Sequence, residues 1–306
     1  MRKAFKWLGI ILGGLVGLLI LGIAGLLIYG QVTFKPTYDD RPLYPITADT
    51  SPEGVARGEY LLNSVMSCAE ACHSPEGRPF VGTYEEIAMG PVRAVFAPPN
   101  LTPDEGTGLG SWTDAQIARA IREGVDKDGV QLAVMPSRFY TILSDSDTAA
   151  TVGYLRTLEP VHNEIPPFSL NAFGKALFAA GMFGPRVQIE PITSVQNAPE
   201  PGSVEYGGYL VSLGGCRECH GEELAGGQLP FAEEGSPPVP NLTPAGELVG
   251  WSEAEFTSAM RTGKTPSGKK LDSEAMPWKS YAGMTDEDLS AIFRYLQSVQ
   301  PVEAGK

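Results

Sequence analysis

Histidine and cysteine are both scarce in this chain: three His and four Cys among 306 residues. Two of the histidines directly follow a cysteine, and only His162 stands alone. The cysteines fall into two pairs, Cys68 with Cys72 and Cys216 with Cys219, so no fifth thiol remains for nucleophilic work. No second histidine lies near either pair in sequence to serve as an acid or base. Positive charge is also short, with 23 Lys and Arg against 36 Asp and Glu and a net charge of −13. That balance disfavours nucleic acid as a partner and suits docking to a basic protein surface, or it serves solubility alone. The excess acid is shared evenly, −7 in residues 51–160 and −7 in residues 203–301. The carboxylates are scattered at helix starts and in loops, where capping and solvation account for them. Nothing in the chain reads as a catalytic constellation.

Against this scarcity one stretch stands out, Cys216-Arg217-Glu218-Cys219-His220. Two cysteines with two residues between them and a histidine directly after form the attachment signature of c-type haem. The two thiols reach the vinyl groups of one porphyrin as thioethers, and the next side chain turns under the iron as an imidazole ligand. A redox CxxC needs no adjacent histidine, and a zinc site would need more Cys or His nearby. With all four thiols placed in such pairs, none is left for a disulfide.

The signature has an echo in Cys68-Ala69-Glu70-Ala71-Cys72-His73, which reads CxxxCH, one residue longer. The flanking sequence repeats with it. Ala97-Pro-Pro-Asn-Leu-Thr-Pro103 matches Val239-Pro-Asn-Leu-Thr-Pro244, Trp112-Thr113 matches Trp251-Ser252, Met135-Pro136 matches Met276-Pro277, and Tyr154-Leu155 matches Tyr295-Leu296. Asn100 precedes Met135 by 35 residues and Asn241 precedes Met276 by 35, and each Met precedes its Tyr by 19. A register kept over that length marks a duplicated domain.

These motifs make each half resemble a class I cytochrome c domain, and the pair resembles a diheme cytochrome c. The order CxxCH, Pro-Asn-Leu-Thr-Pro, Trp-[Ser/Thr], Met-Pro and a final Tyr-Leu helix is similar to the cytochrome c subunit of bacterial membrane-bound alcohol and gluconate dehydrogenases. The likeness covers residues 51–301. This chain departs from that family in carrying two signatures where those subunits usually have three, and in the longer first signature. The resemblance implies an all-α fold, with an N-terminal transmembrane helix followed by two class I cytochrome c domains in tandem. The expected division is an anchor over 1–30, a tether over 31–50, a first haem domain over 51–160, an apolar and Pro-rich connection over 161–202 and a second haem domain over 203–301. Two covalently bound haem c groups are the expected cofactors.

The chain opens with Arg2, Lys3 and Lys6 and then an uncharged, Pro-free run from Trp7 to Tyr29. At ~1.5 Å per residue this run spans roughly 33 Å, enough to cross the hydrocarbon core. The basic end should stay cytoplasmic, with Trp7 and Tyr29 at the two interfaces. A cleaved signal peptide would have a shorter apolar region and a small-residue cleavage site, which the sequence does not offer. The expected location is the cell inner membrane, single-pass, with both haem domains on the periplasmic side. Gly9, Gly13 and Gly17 at spacing four would let another helix approach, or reflect only the frequency of Gly in membrane helices. Capping patterns open helices at Thr113, Ser144, Ser252 and Thr285. Gly58 with Tyr60 and Tyr154 could form the crossing of first and last helices that the resemblance implies, and Gly208-Tyr209 marks the matching helix in the second half. Phe168, Phe173, Phe178 and Phe183 recur every five residues in a nearly uncharged segment, which either packs against the domains or dips into the membrane surface. Asn100 and Asn241 should fix loop backbone near the haem. Trp112 and Trp251 should wall the pocket or bond a propionate, or simply fill the core.

For the iron, the proximal ligands are His73 and His220, and Met135 and Met276 are expected on the far side. Met66 lies too close to its own cysteines, Met260 falls inside a predicted helix, and Met284 lacks the matched offset. Met89 is the main rival, read here as lying in a loop before Gly90-Pro91. The function expected is single-electron relay between redox partners such as a membrane oxidoreductase complex, either as the electron-accepting subunit of a dehydrogenase or as a link in a respiratory or photosynthetic chain. The alternative is a haem enzyme such as a diheme peroxidase or a thiosulfate-oxidising cytochrome, which would need an open iron or an unusual axial ligand.

Overall fold

The computed structural model describes residues 2–38, 40–74, 77–182, 189–229, 235–273 and 275–303, with side chains from residue 5 onward. Helix α1 runs over Arg2–Thr33. Phe5–Thr33 is long and apolar enough to cross a membrane, and its most apolar stretch is not buried by the rest of the chain.

In the first half, α2 (Pro52–Tyr60) starts at Ser51, whose side chain accepts from the Gly54 N–H, with Pro52 at the first helical position. It continues as a π-helical turn over Leu61–Val65, and a second π-helical turn covers Ala69–His73. Helix α3 (Asp114–Glu123) carries a full capping box between Thr113 and Gln116 and ends on Gly124 at φ 66°. Helix α4 (Asp145–Thr157) is capped by Ser144. The second half repeats this plan: α6 (Val204–Leu213), α7 (Cys216–His220), α8 (Glu253–Thr262), α9 (Trp278–Tyr281) and α10 (Asp286–Ser298). Ser252 and Glu255 form the second capping box, and Thr285 caps α10.

The first and last helices of each half cross at a glycine. A Cβ on Gly58 would lie 2.1 Å from the Ala150 carbonyl oxygen, and one on Gly207 would lie 2.0 Å from that of Ala291. The residue matching Gly58 is therefore Gly207, and a Cβ on its neighbour Gly208 would meet the Tyr295 ring.

The fold is not purely helical. Strands β1 (Glu85–Met89) and β2 (Val92–Phe96) form an antiparallel hairpin, and β3 (Ser169–Leu170) pairs with β2. The turn has two residues with Gly90 first at φ 55°. Val92, Val95 and Phe96 are good strand formers, and the segment has no repeat partner to carry its period. Met89 consequently ends a strand rather than sitting in a loop.

The aromatic connection contributes α5 (Ala172–Ala179), which packs on the base of α1. Gly30 meets the Ala176 backbone, and the Phe34 ring packs against Phe168 and Phe178 at 5.7 and 5.4 Å between centroids. Phe183 lies outside the described residues. Residues 34–49 are not a slack tether. Thr37 bridges Val130, Arg41 pairs with Glu123 at 2.8 Å, the Tyr44 hydroxyl donates to Asp145 and the Ala48 N–H donates to Asp114. One hydrophobic core runs through both halves, from Leu61, Val65 and Leu143 to Leu210, Leu213 and Leu289.

Candidate functional site

Each half presents its two cysteines and its histidine on one tight turn. In α7 the turn is α-helical, which brings Cys216, Cys219 and His220 together at the ordinary spacing. In the first half the same turn is π-helical over Ala69–His73. A π turn closes i to i+5 and so holds one residue more than an α turn. The additional residue of CxxxCH is taken up there, and Cys72 and His73 keep their relation. Cys68 and Cys72 feel each other electrostatically, as do Cys216 and Cys219. Burial pushes the Cys68 thiol up to about 12 and the Cys216 thiol up to about 11.

Both histidines are oriented by a backbone carbonyl. His73 Nδ1 donates to the Pro99 oxygen at 2.9 Å, and His220 Nδ1 donates to the Pro240 oxygen at 2.8 Å. This bond fixes the ring and leaves Nε2 for a metal. Burial lowers the pKa of both rings, which keeps them neutral as a ligand must be. Pro99 and Pro240 immediately precede the Asn of the repeated Asn-Leu-Thr-Pro motif, which explains why the motif accompanies the cysteines.

That motif is clamped on both sides. Asn100 donates to the Val161 carbonyl at 2.8 Å and its oxygen accepts from the Thr102 N–H; Asn241 donates to the Val302 carbonyl at 2.6 Å and accepts from the Thr243 N–H. On the other side Leu101 donates to the Phe80 carbonyl and Leu242 to the Leu224 carbonyl. Phe80 and Leu224 are fully buried and hold φ 64° and φ 60°, left-handed conformations that side chains of this size rarely adopt. Two residues on, Gly82 and Gly226 have φ 76° and 68°, and a Cβ on either would collide with the backbone around the motif. The same strained turn occurs in both halves, so each histidine meets its carbonyl by the same local construction.

Met135 and Met276 are partly buried, in loops that end at a proline and a short helical turn, and both pack against the core. Met66, Met260 and Met284 are core residues, and Met89 is 52% exposed at the strand end. Met135 also borders a cavity of about 370 Å³ with Met89, Phe34, Phe168 and Phe178. None of Cys68, Cys72 or His73 lines the cavity, whereas Glu218 of the second attachment turn does. Five residues beyond each Met stand Tyr140 and Tyr281, both buried. Tyr140 lies in the field of Cys68 and Cys72, Tyr281 in that of Cys216 and Cys219, and desolvation raises both phenols. Sequence reading passed over these tyrosines, although their equal offset from Met was visible. It also passed over the orienting carbonyls, because the role belongs to the backbone.

The residues present fit a haem. Trp278 Nε1–H, two residues after Met276, is buried with no acceptor among the described residues, a donor suited to a propionate. Trp112 and Trp251 pack against the core. His162 is exposed and lies 3.4 Å from Asp104. No group of three or more His, Cys, Asp or Glu converges among the described residues.

The cytochrome c family model matches residues 204–300. The chain is 30% identical over 279 residues to the fructose dehydrogenase cytochrome subunit of Gluconobacter japonicus, covering 85% of this chain and 55% of that one. It is 30% identical over 285 residues to the gluconate 2-dehydrogenase cytochrome c subunit of Pantoea cypripedii, covering 82% and 61%. It is 30% identical over 227 residues to a diheme cytochrome c-type protein of Cereibacter sphaeroides, covering 68% and 73%. The chain thus spans a little over half the length of the two dehydrogenase subunits.

Proposed function

The chain belongs to the cytochrome c family, and from that premise we propose that it is a membrane-tethered diheme cytochrome c relaying single electrons between redox partners on the periplasmic side. The observation that carries the reading is the duplicated construction: two Cys–Cys–His turns, each with its histidine held by a proline carbonyl. Haem supplies one-electron chemistry when bound, and the chain supplies attachment, orientation and burial. Cys68 and Cys72 would hold one haem and Cys216 and Cys219 the other, with His73 and His220 as proximal ligands and Met135 and Met276 as distal ones. The core on which these segments pack would restrict water at a bound haem, and thioether ligation from Met135 or Met276 would favour its reduced form. The chain is then an electron-transfer subunit of a dehydrogenase, as the names of its relatives suggest, or a link to another membrane oxidoreductase. The acidic surface suits a basic docking face on that partner.

Helix α1 serves as the anchor. Its last turns are built into the fold: Gly30 packs on Ala176, and Lys175 donates to Gln31 at 2.9 Å. A leader destined for removal needs no such seat.

A pyridine haemochrome assay on denatured protein tests the reading. Two haem equivalents per chain should remain attached, and a redox titration of the native protein should show two reversible one-electron steps. One equivalent would leave the first half without a cofactor and end the diheme reading. Rapid CO binding by the reduced native protein would favour the enzyme alternative.

A further inference from the structure

Two tyrosines and two aspartates join the two halves. Tyr60 in α2 is the counterpart of Tyr209 in α6, each two residues beyond its crossing glycine. Asp147 in α4 is the counterpart of Asp288 in α10, each twelve residues beyond the Met of its Met-Pro pair. Each tyrosine reaches across to the other half. The Tyr60 hydroxyl donates to Asp288 Oδ2 at 2.5 Å and accepts from the Thr285 N–H at 3.2 Å. The Tyr209 hydroxyl donates to Asp147 Oδ2 at 2.7 Å and accepts from the Ser144 N–H at 3.1 Å. Thr285 and Ser144 are the N-caps of the two last helices, so the first helix of each half completes the cap of the last helix of the other. Both carboxylates are buried, and burial raises both phenols, which remain donors throughout the physiological range. An interface held by apolar area alone would not place the same two polar pairs at equivalent positions.

The exchange has a geometric result. Ser67, next to Cys68, donates to Ser280 Oγ at 2.8 Å, and Ser280 donates to Glu70 within the first attachment turn. Arg138, three residues beyond Met135, pairs with Glu218 of the second attachment turn at 2.6 Å. Each attachment turn therefore touches the segment that follows the other half's methionine.

We propose that Tyr60 and Tyr209 are positioning residues, a swapped pair of hydroxyl latches that fix the two halves in one orientation and thereby make them exchange electrons directly with each other. The proposal rests on the relay reading above. Haem, if bound in both halves, would supply the chemistry: one electron would pass from a ferrous to a ferric iron, with no bond or proton moved. Latched halves keep the donor–acceptor geometry constant, whereas without the hydroxyls the halves, still joined by the shared core, sample other orientations.

The test uses the full chain in detergent with its haems attached, and the variant Tyr60→Phe/Tyr209→Phe, which keeps both rings and removes both hydroxyls. Intramolecular exchange is read from broadening of haem methyl resonances in half-reduced samples. It should slow by about tenfold or more, with haem content and axial-ligand bands unchanged. An unchanged exchange rate would overturn the proposal. If the double variant does not accumulate, Asp288→Asn and Asp288→Ala decide: Asn keeps an acceptor for Tyr60 and should behave as wild type, Ala should slow exchange, and equal behaviour would overturn the latch. Should the wild-type protein hold fewer than two haems, the relay reading fails on that measurement, and the latch is still read by hydrogen exchange. The Ser144 and Thr285 amides should then exchange about tenfold faster or more in the double variant, and equal protection would rule the latch out.

Discussion

At the scale of residues, the two methionines have the most testable assignment. Met135 and Met276 share an offset of 35 from the Asn of the repeated motif, and each precedes a proline that cannot donate a backbone hydrogen bond. Met276→Ala should lower one of the two potentials, open that iron to CO and leave the other haem nearly unchanged. Spectroelectrochemistry with and without CO measures this. If both potentials and the sulfur-to-iron absorption band survived, the distal ligand of the second half would be another group. The orienting carbonyls limit what else can change at this scale. Because each histidine is held by backbone, no single side-chain substitution at Pro99 or Pro240 removes the acceptor, and the imidazole should keep its tautomer in most variants.

At the scale of elements, the π-helical turn at Ala69–His73 explains the irregular signature. Deleting Ala71 leaves Cys-Ala-Glu-Cys-His, the ordinary spacing, and should convert the turn to an α turn like α7. Two haem equivalents should still be found in the haemochrome assay; loss of one would mean that the longer turn is required for attachment in this half. The helix crossings are less forgiving. Gly58→Ala or Gly207→Ala drives a methyl into a backbone carbonyl, and each should cost about 1–3 kcal/mol or more in chemical denaturation. A loss below about 0.5 kcal/mol would show that the helices part easily. What the sequence revealed at this scale follows from periodicity and duplication. Helices α3, α4, α8 and α10 announce themselves by capping residues, and the attachment turns by their cysteines. The hairpin of β1 and β2 was hidden because it occurs in one half only, so no repeat pointed to it. The cross-half bonds of Tyr60 and Tyr209 were hidden because sequence spacing reports contacts within a repeat unit, not between units.

At the scale of the whole molecule, the N-terminus is the first thing to measure. Intact mass of the mature protein should include residues 1–30, and a chain beginning after residue 25 would show that α1 is a removed leader. Sequence length and hydropathy indicated an apolar span but gave no sign of how it is fastened. The fastening is in α5 and in residues 34–49, whose partners Glu123, Val130 and Asp145 all lie in the first half. This strap changes the search problem that the protein has to solve. A haem domain on a slack leader sweeps a volume and meets partners in three dimensions. Once α1 is seated in a bilayer, this strap removes that freedom, and the first half can move only as the helix drifts and spins in the plane. Encounters with membrane-bound partners then depend on their surface density, and the rate of relay should respond to crowding in the membrane more than to dilution of the medium.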